Sequence, residues 1–129
     1  MISHAQGELL AQVRPGVTTA VQLIKSDTLR IEITLLMATI IEGGTAMNLF
    51  VYHDDSGSDV YDNSTIIFSA NKQLTDPDLL FQAQHPGSGI IIKPGGSLGV
   101  KIATASNATF SVYGITETLA GRVRGLSNG

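Results

Sequence analysis

The chain contains no cysteine and no tryptophan, and each absence excludes or weakens a class of site. Without cysteine there is no disulfide framework, no thiolate metal ligand and no thiol nucleophile. Aromatic residues make up only 5% of the 129 residues. Proteins that hold sugar rings or stack bases rely on exposed aromatic faces, so this content weakens a glycan-binding or single-strand-binding role. Sugar binding through the polar groups of loops stays open.

Charge is also scarce, and what there is leans acidic. Eight basic and eleven acidic residues give a net charge of −3, so nothing indicates a protein that neutralises nucleic acid phosphates. Charged residues are 15% of the chain against 43% hydrophobic residues, and the mean hydropathy is +0.19. This balance predicts that something besides water covers part of the surface.

Long hydrophobic runs are absent as well. The longest uncharged apolar run, residues 33–41, lies between Glu32 and Glu42 and is far shorter than the roughly 20 residues that span a bilayer. Residues 1–8 show no basic segment followed by an apolar one, so a signal peptide is not expected. We therefore expect no membrane partner and no secretion.

What the chain does contain is β-type sequence with regular turns. Apolar and polar residues alternate with a period of two over residues 29–35, 47–52 and 98–102, which predicts half-buried strands. Shorter β-rich runs cover residues 18–25, 65–70, 89–93 and 108–116. Glycine, proline, aspartate and asparagine separate these runs. The pattern predicts an all-β domain at 15–117, an antiparallel β-sandwich or jelly roll of about eight short strands, with an N-terminal arm at 1–14 and a C-terminal tail at 118–129.

The segment at residues 79–84 can be interpreted in two ways. Asp76 followed by Pro77 could cap a short helix. A strand is favoured, because the turn at residues 85–89 would then join it to the strand at 89–93 as sequential strands are usually joined.

Two motifs suggest chemistry, and a simpler interpretation is preferred for both. Ser97 lies in Gly95-Gly-Ser-Leu-Gly99, the pattern of a nucleophile elbow, but strand-like sequence follows where the elbow needs a helix. Residues 54–62 cluster acidic side chains without the spacing of a calcium loop, and their composition is also that of a solvated turn. The three histidines are isolated in sequence. We expect no catalytic residue, no metal and no cofactor.

Alternation fails in four segments, which suggests that both faces of the sheet are covered. Residues 33–41, 66–68, 79–81 and 90–92 carry apolar side chains at successive positions. A bulge could switch the inward parity of one long strand, or the outer face could pack on another subunit. A bulge explains one strand, whereas a covered outer face explains all four segments. The sequence therefore favours a homo-oligomer, with Ile40 and Ile91 as candidate contacts.

Five segments of the chain carry a family resemblance: residues 11–15, 49–55, 61–62, 90–100 and 108–114. In these segments, and over roughly residues 9–117, the chain resembles a loose family of small β-sandwich structural proteins of tailed bacteriophages. It implies a non-enzymatic virion component that assembles as a symmetric oligomer, often a trimer. A capsid decoration (cement) protein that binds the major capsid protein is preferred, and a tail fibre or adaptor domain in host receptor attachment is the alternative.

The C-terminal tail offers a second candidate contact. Arg122 and Arg124 lie between glycines, and Val123 and Leu126 are the apolar residues beside them. Guanidinium groups pair well with carboxylates, so these four residues are predicted to bind a neighbouring subunit or the capsid protein.

Overall fold

The computed structural model describes residues 7–43, 46–85 and 87–117, and every regular element in this part of the chain is a β-strand. The strands are β1 (Glu8–Val13), β2 (Val21–Lys25), β3 (Ile31–Ile40), β4 (Met47–Asp54), β5 (Ile66–Lys72), β6 (Leu79–Gln82), β7 (Ile90–Ile92), β8 (Ser97–Ile102) and β9 (Ala108–Thr116). The all-β prediction is confirmed, with nine strands instead of about eight. No helix within these ranges is long and apolar enough to cross a membrane.

The strands form two antiparallel sheets that pack as a β-sandwich. The first sheet has the order β1-β9-β3-β6, with β7 also pairing with β3. The second sheet has the order β2-β8-β4-β5. All seven strand pairings are antiparallel. Each sheet therefore has an inner face toward the other sheet and an outer face available to solvent or a partner.

The core fills the space between the sheets with aliphatic side chains and one buried phenylalanine. Its fully buried members include Phe110, Ile33, Leu36, Leu49, Leu98, Ile102, Val100 and Val112. They come from both sheets, and most occupy alternate positions in their strands, as the period of two requires. Burial of this apolar surface is the main driving force for the fold.

A bulge at Thr34 explains the long apolar run in β3. The pairing of β3 with β9 shifts register between Ile33 and Leu35, and Thr34 itself is 1% exposed. Before the bulge the odd-numbered Ile33 points inward, and after it the even-numbered Leu36 does. This change in which residues point inward explains the apolar side chains at successive positions of β3 without a partner subunit. It also places Ile40, a candidate contact, in the core at 7% exposure, so that assignment needs correction.

Residues 79–82 form strand β6, as the preferred interpretation predicted. Leu36 pairs with Phe81, and the amide of Ala38 donates to the carbonyl of Asp78 at 2.8 Å. The ring of Phe81 lies 5.9 Å from that of Phe68 in the second sheet. As a strand, β6 satisfies backbone hydrogen-bonding groups of β3 and places the Phe81 ring against the core. The sequence of residues 79–82 does not by itself show that β3 needs this neighbouring strand.

Residues 8–13, which the sequence analysis assigned to an N-terminal arm, form the edge strand β1. The strand pairs with β9 from Glu8 to Val13. Leu10, Ala11 and Val13 pack against the core, and a register shift between Leu9 and Ala11 accompanies the inward position of Leu10. The sandwich thus begins before residue 15, because β1 extends the first sheet beside β9 and these three side chains pack against the core.

Candidate functional site

The loop between β4 and β5, residues 55–65, is built around the carboxylate of Asp54. Its Oδ2 accepts hydrogen bonds from the amide of Val60 at 2.7 Å and the hydroxyl of Ser56 at 2.9 Å, and its Oδ1 accepts from the amide of Ser56 at 3.0 Å. The side chain is nearly buried, with the residue 6% exposed. These bonds, the Val60 amide first, lower the pKa of Asp54. The acidic segment is therefore an ordered loop.

A polar cluster fastens this loop to the second sheet. Lys25 on β2 pairs with the carboxylate of Asp59 at 3.0 Å, and the hydroxyl of Ser97 on β8 donates to the same carboxylate at 2.9 Å. The hydroxyl of Tyr61 lies 2.7 Å from that of Ser97. The hydrogen bond from Lys25 is the main cause of the lowered pKa of Asp59. The cluster holds Tyr61 in one position.

Ser97 has a structural role in this arrangement. The residue is fully buried at the start of strand β8, and its hydroxyl bonds to Asp59 and Tyr61. A nucleophile elbow needs a strand, a sharp turn and a helix that expose the serine. Here a strand follows the turn, so the G-x-S-x-G sequence belongs to the tight turn that connects β7 of the first sheet to β8 of the second, with Gly95 at φ +87.

The acid response of the protein follows from three aspartates. The pKa values of Asp54, Asp59 and Asp62 all lie below the ordinary 3.8 in the folded chain. A depressed pKa contributes stability above the unfolded value that is lost as pH falls through the folded value. We therefore expect the free energy of unfolding to hold at neutral pH and to decline below about pH 3.8.

Urea denaturation at a series of pH values measures this decline. In Asp54→Asn the decline should be shallower, because one of the depressed carboxyl groups no longer titrates. A midpoint that is constant from neutral pH to about pH 2, where carboxyl groups protonate, would contradict the role of these hydrogen bonds.

A groove lies beside this loop on the outer face of the second sheet. We call it the tyrosine groove; its lining includes Thr19, Tyr52, Tyr61, Asp62, Asn63 and Lys101, and its volume is about 640 Å³. The ring of Tyr61 covers Gly99, because a Cβ added at Gly99 would lie 2.6–2.7 Å from three of its ring carbons. The Tyr52 ring is 6.2 Å away at 35°. Glycine at position 99 thus allows the two tyrosines to line one surface.

Tyr52 is the most unusual group in the groove. The residue is 4% exposed, and burial, with a smaller effect of the Asp62 carboxylate, raises its pKa. Within the described residues its hydroxyl forms no hydrogen bond, although buried polar groups are nearly always paired. The groove has no signal in the sequence, because nothing there shows that Tyr61 folds back over Gly99.

The outer face of the first sheet carries mainly apolar side chains in its centre. Cross-strand pairs place Leu9 beside Tyr113 and Tyr113 beside Leu35, so one apolar row crosses three strands. The rows beside it mix apolar and polar side chains: one contains Gln12, Ser111, Met37 and Leu79, and the other contains Ile115, Glu32 and Ile91. We call this surface the apolar face and define it by Leu9, Leu35, Met37, Leu79, Ile91, Tyr113 and Ile115. Ile91, a candidate contact from the sequence, belongs to it and pairs with Glu32.

Glu32 does not leave an open charge on the apolar face. Its Oε2 accepts hydrogen bonds from the amides of Gly87 at 2.8 Å and Gly89 at 3.0 Å. The exposed fractions of Leu9, Leu79 and Ile115 are 49%, 45% and 41%. Large exposed apolar side chains clustered on one face are typical of an interface.

Arg122, Val123, Arg124 and Leu126 lie outside the described residues. Within the described ranges, no three histidine or acidic side chains are grouped so that they could hold a metal ion. His53 contacts Asp55, with Nε2 2.9 Å from Oδ1.

Comparisons of the chain with protein-family models, with curated proteins and with solved structures found no match.

Proposed function

We propose that this protein is a non-enzymatic structural component of a tailed-phage virion, a capsid decoration (cement) protein that acts as a homotrimer on the head. The observation that carries the assembly role is the apolar face. The phage context is supported by the sequence resemblance at residues 49–55, 61–62, 90–100 and 108–114. A tail fibre or adaptor domain for host attachment is the alternative, and the tyrosine groove is the feature that would favour it.

The occupant of the apolar face is a second copy of this chain. The face is apolar on every protomer, so three copies that converge on a threefold axis bring apolar surface against apolar surface. Its carboxylate, Glu32, is held by backbone amides of its own chain. These amide hydrogen bonds offset part of the desolvation cost of the Glu32 carboxylate, a cost that opposes association. A strongly charged partner would find little to pair with here. Symmetric homo-oligomers are also the commonest soluble assemblies.

Contact with the major capsid protein is assigned to the tail. Arg122 and Arg124 would pair with carboxylates of the capsid protein, and Val123 and Leu126 would anchor the segment. Several tails on one trimer would bind at high effective concentration, which raises overall affinity without new contacts. The trimer and the tail thus serve one purpose, which is to hold neighbouring capsid subunits together.

The test is a double substitution on the apolar face, Leu79→Lys with Ile115→Lys. Both side chains are more than 40% exposed in the protomer, so we expect the fold to persist. We expect the wild type to scatter light as three 13.6 kDa chains and the variant as one, because buried unpaired ammonium groups are costly. The control, Ser69→Lys with Asn71→Lys, adds the same charge to exposed positions of the second sheet and should stay trimeric.

The same samples are then mixed with purified undecorated heads of the phage and sedimented. Wild type and control should sediment with the heads, and the apolar-face variant should bind much more weakly because it loses the avidity of three tails. A chain without residues 118–129 should fold and remain trimeric but stay in the supernatant. A monomeric wild type contradicts the assembly role, and binding to tails but not to heads would favour the attachment alternative.

A further inference from the structure

The tyrosine groove lies on the opposite side of the sandwich from the apolar face. It is formed by strands β4 and β8 of the second sheet, the loop at residues 55–65 and the segment before β2. Self-association through the first sheet leaves it open. Its volume of about 640 Å³ falls within the roughly 300–1,000 Å³ of small-molecule sites. The groove can therefore serve a function separate from assembly.

The tyrosine groove contains a polar atom with no partner in the fold. The hydroxyl of Tyr52 is without a hydrogen bond among the described residues, and the residue is 4% exposed. Its bonding capacity is therefore available to water or to a ligand in the groove. A ligand hydroxyl in the groove can both donate to and accept from the tyrosine hydroxyl. This atom is the clearest sign that the groove is built to receive a polar ligand.

Other groups in the groove also keep bonding capacity. One carboxylate oxygen of Asp62 binds the amide and hydroxyl of Ser64, while the other, Oδ2, has no hydrogen bond within the described part of the chain. The Lys101 ammonium lies 5.8 Å from the centre of the Phe50 ring, and within those residues it pairs with no carboxylate. The side-chain amide of Asn63 is likewise unbonded there. Asp62 and Lys101 give the groove formal charges that cancel, which disfavours polyanions such as nucleic acid.

The aromatic surface determines the shape of the ligand. One face of the Tyr61 ring rests on Gly99, which leaves the opposite face turned away from the sheet. Its hydroxyl is fixed by Ser97 at 2.7 Å, so the ring is held in place before a ligand arrives. A preorganised ring lowers the entropic cost of binding. It offers a flat apolar surface, with polar groups beside it, to a ligand that has both an apolar face and several hydroxyls.

We propose that the tyrosine groove is a carbohydrate-binding site that takes a neutral sugar ring against Tyr61, with sugar hydroxyls bonded to Tyr52, Asp62 and Asn63. A pyranose has the required chemistry, because its axial C–H bonds form an apolar face and its hydroxyls lie around the rim. The polar groups in the groove are acceptors and donors of hydrogen bonds with no excess charge. The inference is independent of the proposed role in assembly, since it concerns the other sheet.

The test is saturation-transfer NMR with four probes, the methyl glycosides of glucose, galactose, mannose and N-acetylglucosamine, at millimolar concentration. We expect transfer to the C–H protons of at least one of them. Titration of that sugar should perturb the tyrosine ring signals of Tyr52 and Tyr61 and leave those of Tyr113 on the other sheet unchanged. An oligonucleotide of thymidine is titrated in parallel as the competing ligand.

The decisive variant is Tyr52→Phe, which removes one hydroxyl and keeps the ring. We expect about threefold to tenfold weaker sugar binding, the loss of one hydrogen bond. We also expect an unchanged or higher thermal midpoint, because the removed hydroxyl has no partner in the fold. Tyr113→Phe, on the apolar face, is the matched control and should bind the sugar as wild type does.

Three outcomes would overturn the proposal. One is no transfer to any of the four sugars, and another is binding that Tyr52→Phe leaves unchanged. The third is tighter binding of the oligonucleotide than of any sugar. None of these results depends on whether the protein is a trimer or binds phage heads, so failure here and failure of the proposed function are distinguishable.

Discussion

Phe110→Ala should lower the free energy of unfolding by about 3–5 kcal/mol, the range for removing a buried aromatic ring. Phe110 is the largest fully buried side chain and is 0% exposed. It lies on β9 between Val13 of β1 and Ala38 of β3, so its ring packs where the first sheet faces the second. A domain of this size is typically stable by roughly 5–15 kcal/mol. The substitution would therefore remove a large share of the total.

Chemical denaturation followed by far-ultraviolet circular dichroism measures this loss. Thr109→Ala is the matched control, because Thr109 is the neighbouring residue on β9 and pairs with Thr39 on the outer face. We expect it to change the free energy of unfolding by no more than about 0.5 kcal/mol. Equal effects of the two substitutions would contradict the assignment of inner and outer faces on this strand.

Gly114→Ala should also destabilise the protein strongly, for a different reason. A Cβ at Gly114 would collide with the backbone carbonyl of Glu32 and lie 3.1 Å from the Cα of Ile33. Gly114 pairs with Ile33 beside the β3 bulge and with Glu8 on β1. Because the obstacle is backbone, no rotamer change can relieve it, and we expect a loss at or above the upper end of about 1–3 kcal/mol for overpacking.

Gly16→Ala provides the comparison at a position with space. Nothing lies within 4 Å of a Cβ added at Gly16, and the residue is exposed. Alanine there should be neutral or slightly stabilising, because it reduces the freedom of the unfolded chain. Denaturation curves of Gly114→Ala and Gly16→Ala, each compared with the wild type, measure the two changes in the free energy of unfolding. If Gly114→Ala were as stable as Gly16→Ala, β3 and β9 would not approach each other as closely as described.

Local pattern was sufficient for most strands. The alternation of Met47, Leu49 and Val51 with polar or outward residues predicted β4, and these three side chains are indeed buried. The same logic located β8, and β-rich composition located β9. The all-β class and the antiparallel sandwich followed, because side chains of alternate residues in a strand point to opposite faces whatever the rest of the chain does.

The failure of alternation in β3 shows where local pattern becomes ambiguous. An apolar run such as residues 33–41 has the same sequence whether a bulge switches its parity or a partner covers its outer face. The register shift at Thr34 resolved this run in favour of the bulge, and Ile40 moved from candidate contact to core. Register depends on cross-strand pairing with β9, whose residues beside the bulge are about 80 positions away in the chain, and this pairing leaves no mark in the run itself.

The sequence by itself determined the class of fold, the position of most strands, the absence of thiol chemistry and the low, slightly acidic charge. Only the tertiary structure decided what the outer faces carry. It joined Leu9, Leu35 and Tyr113 into one apolar row, and it brought Tyr61 over Gly99 beside Tyr52. The physical reason is that strand periodicity is a local property of the backbone, whereas a surface is assembled from residues far apart in the chain. Their neighbours are set by sheet order, register and the hydrogen bonds of loops.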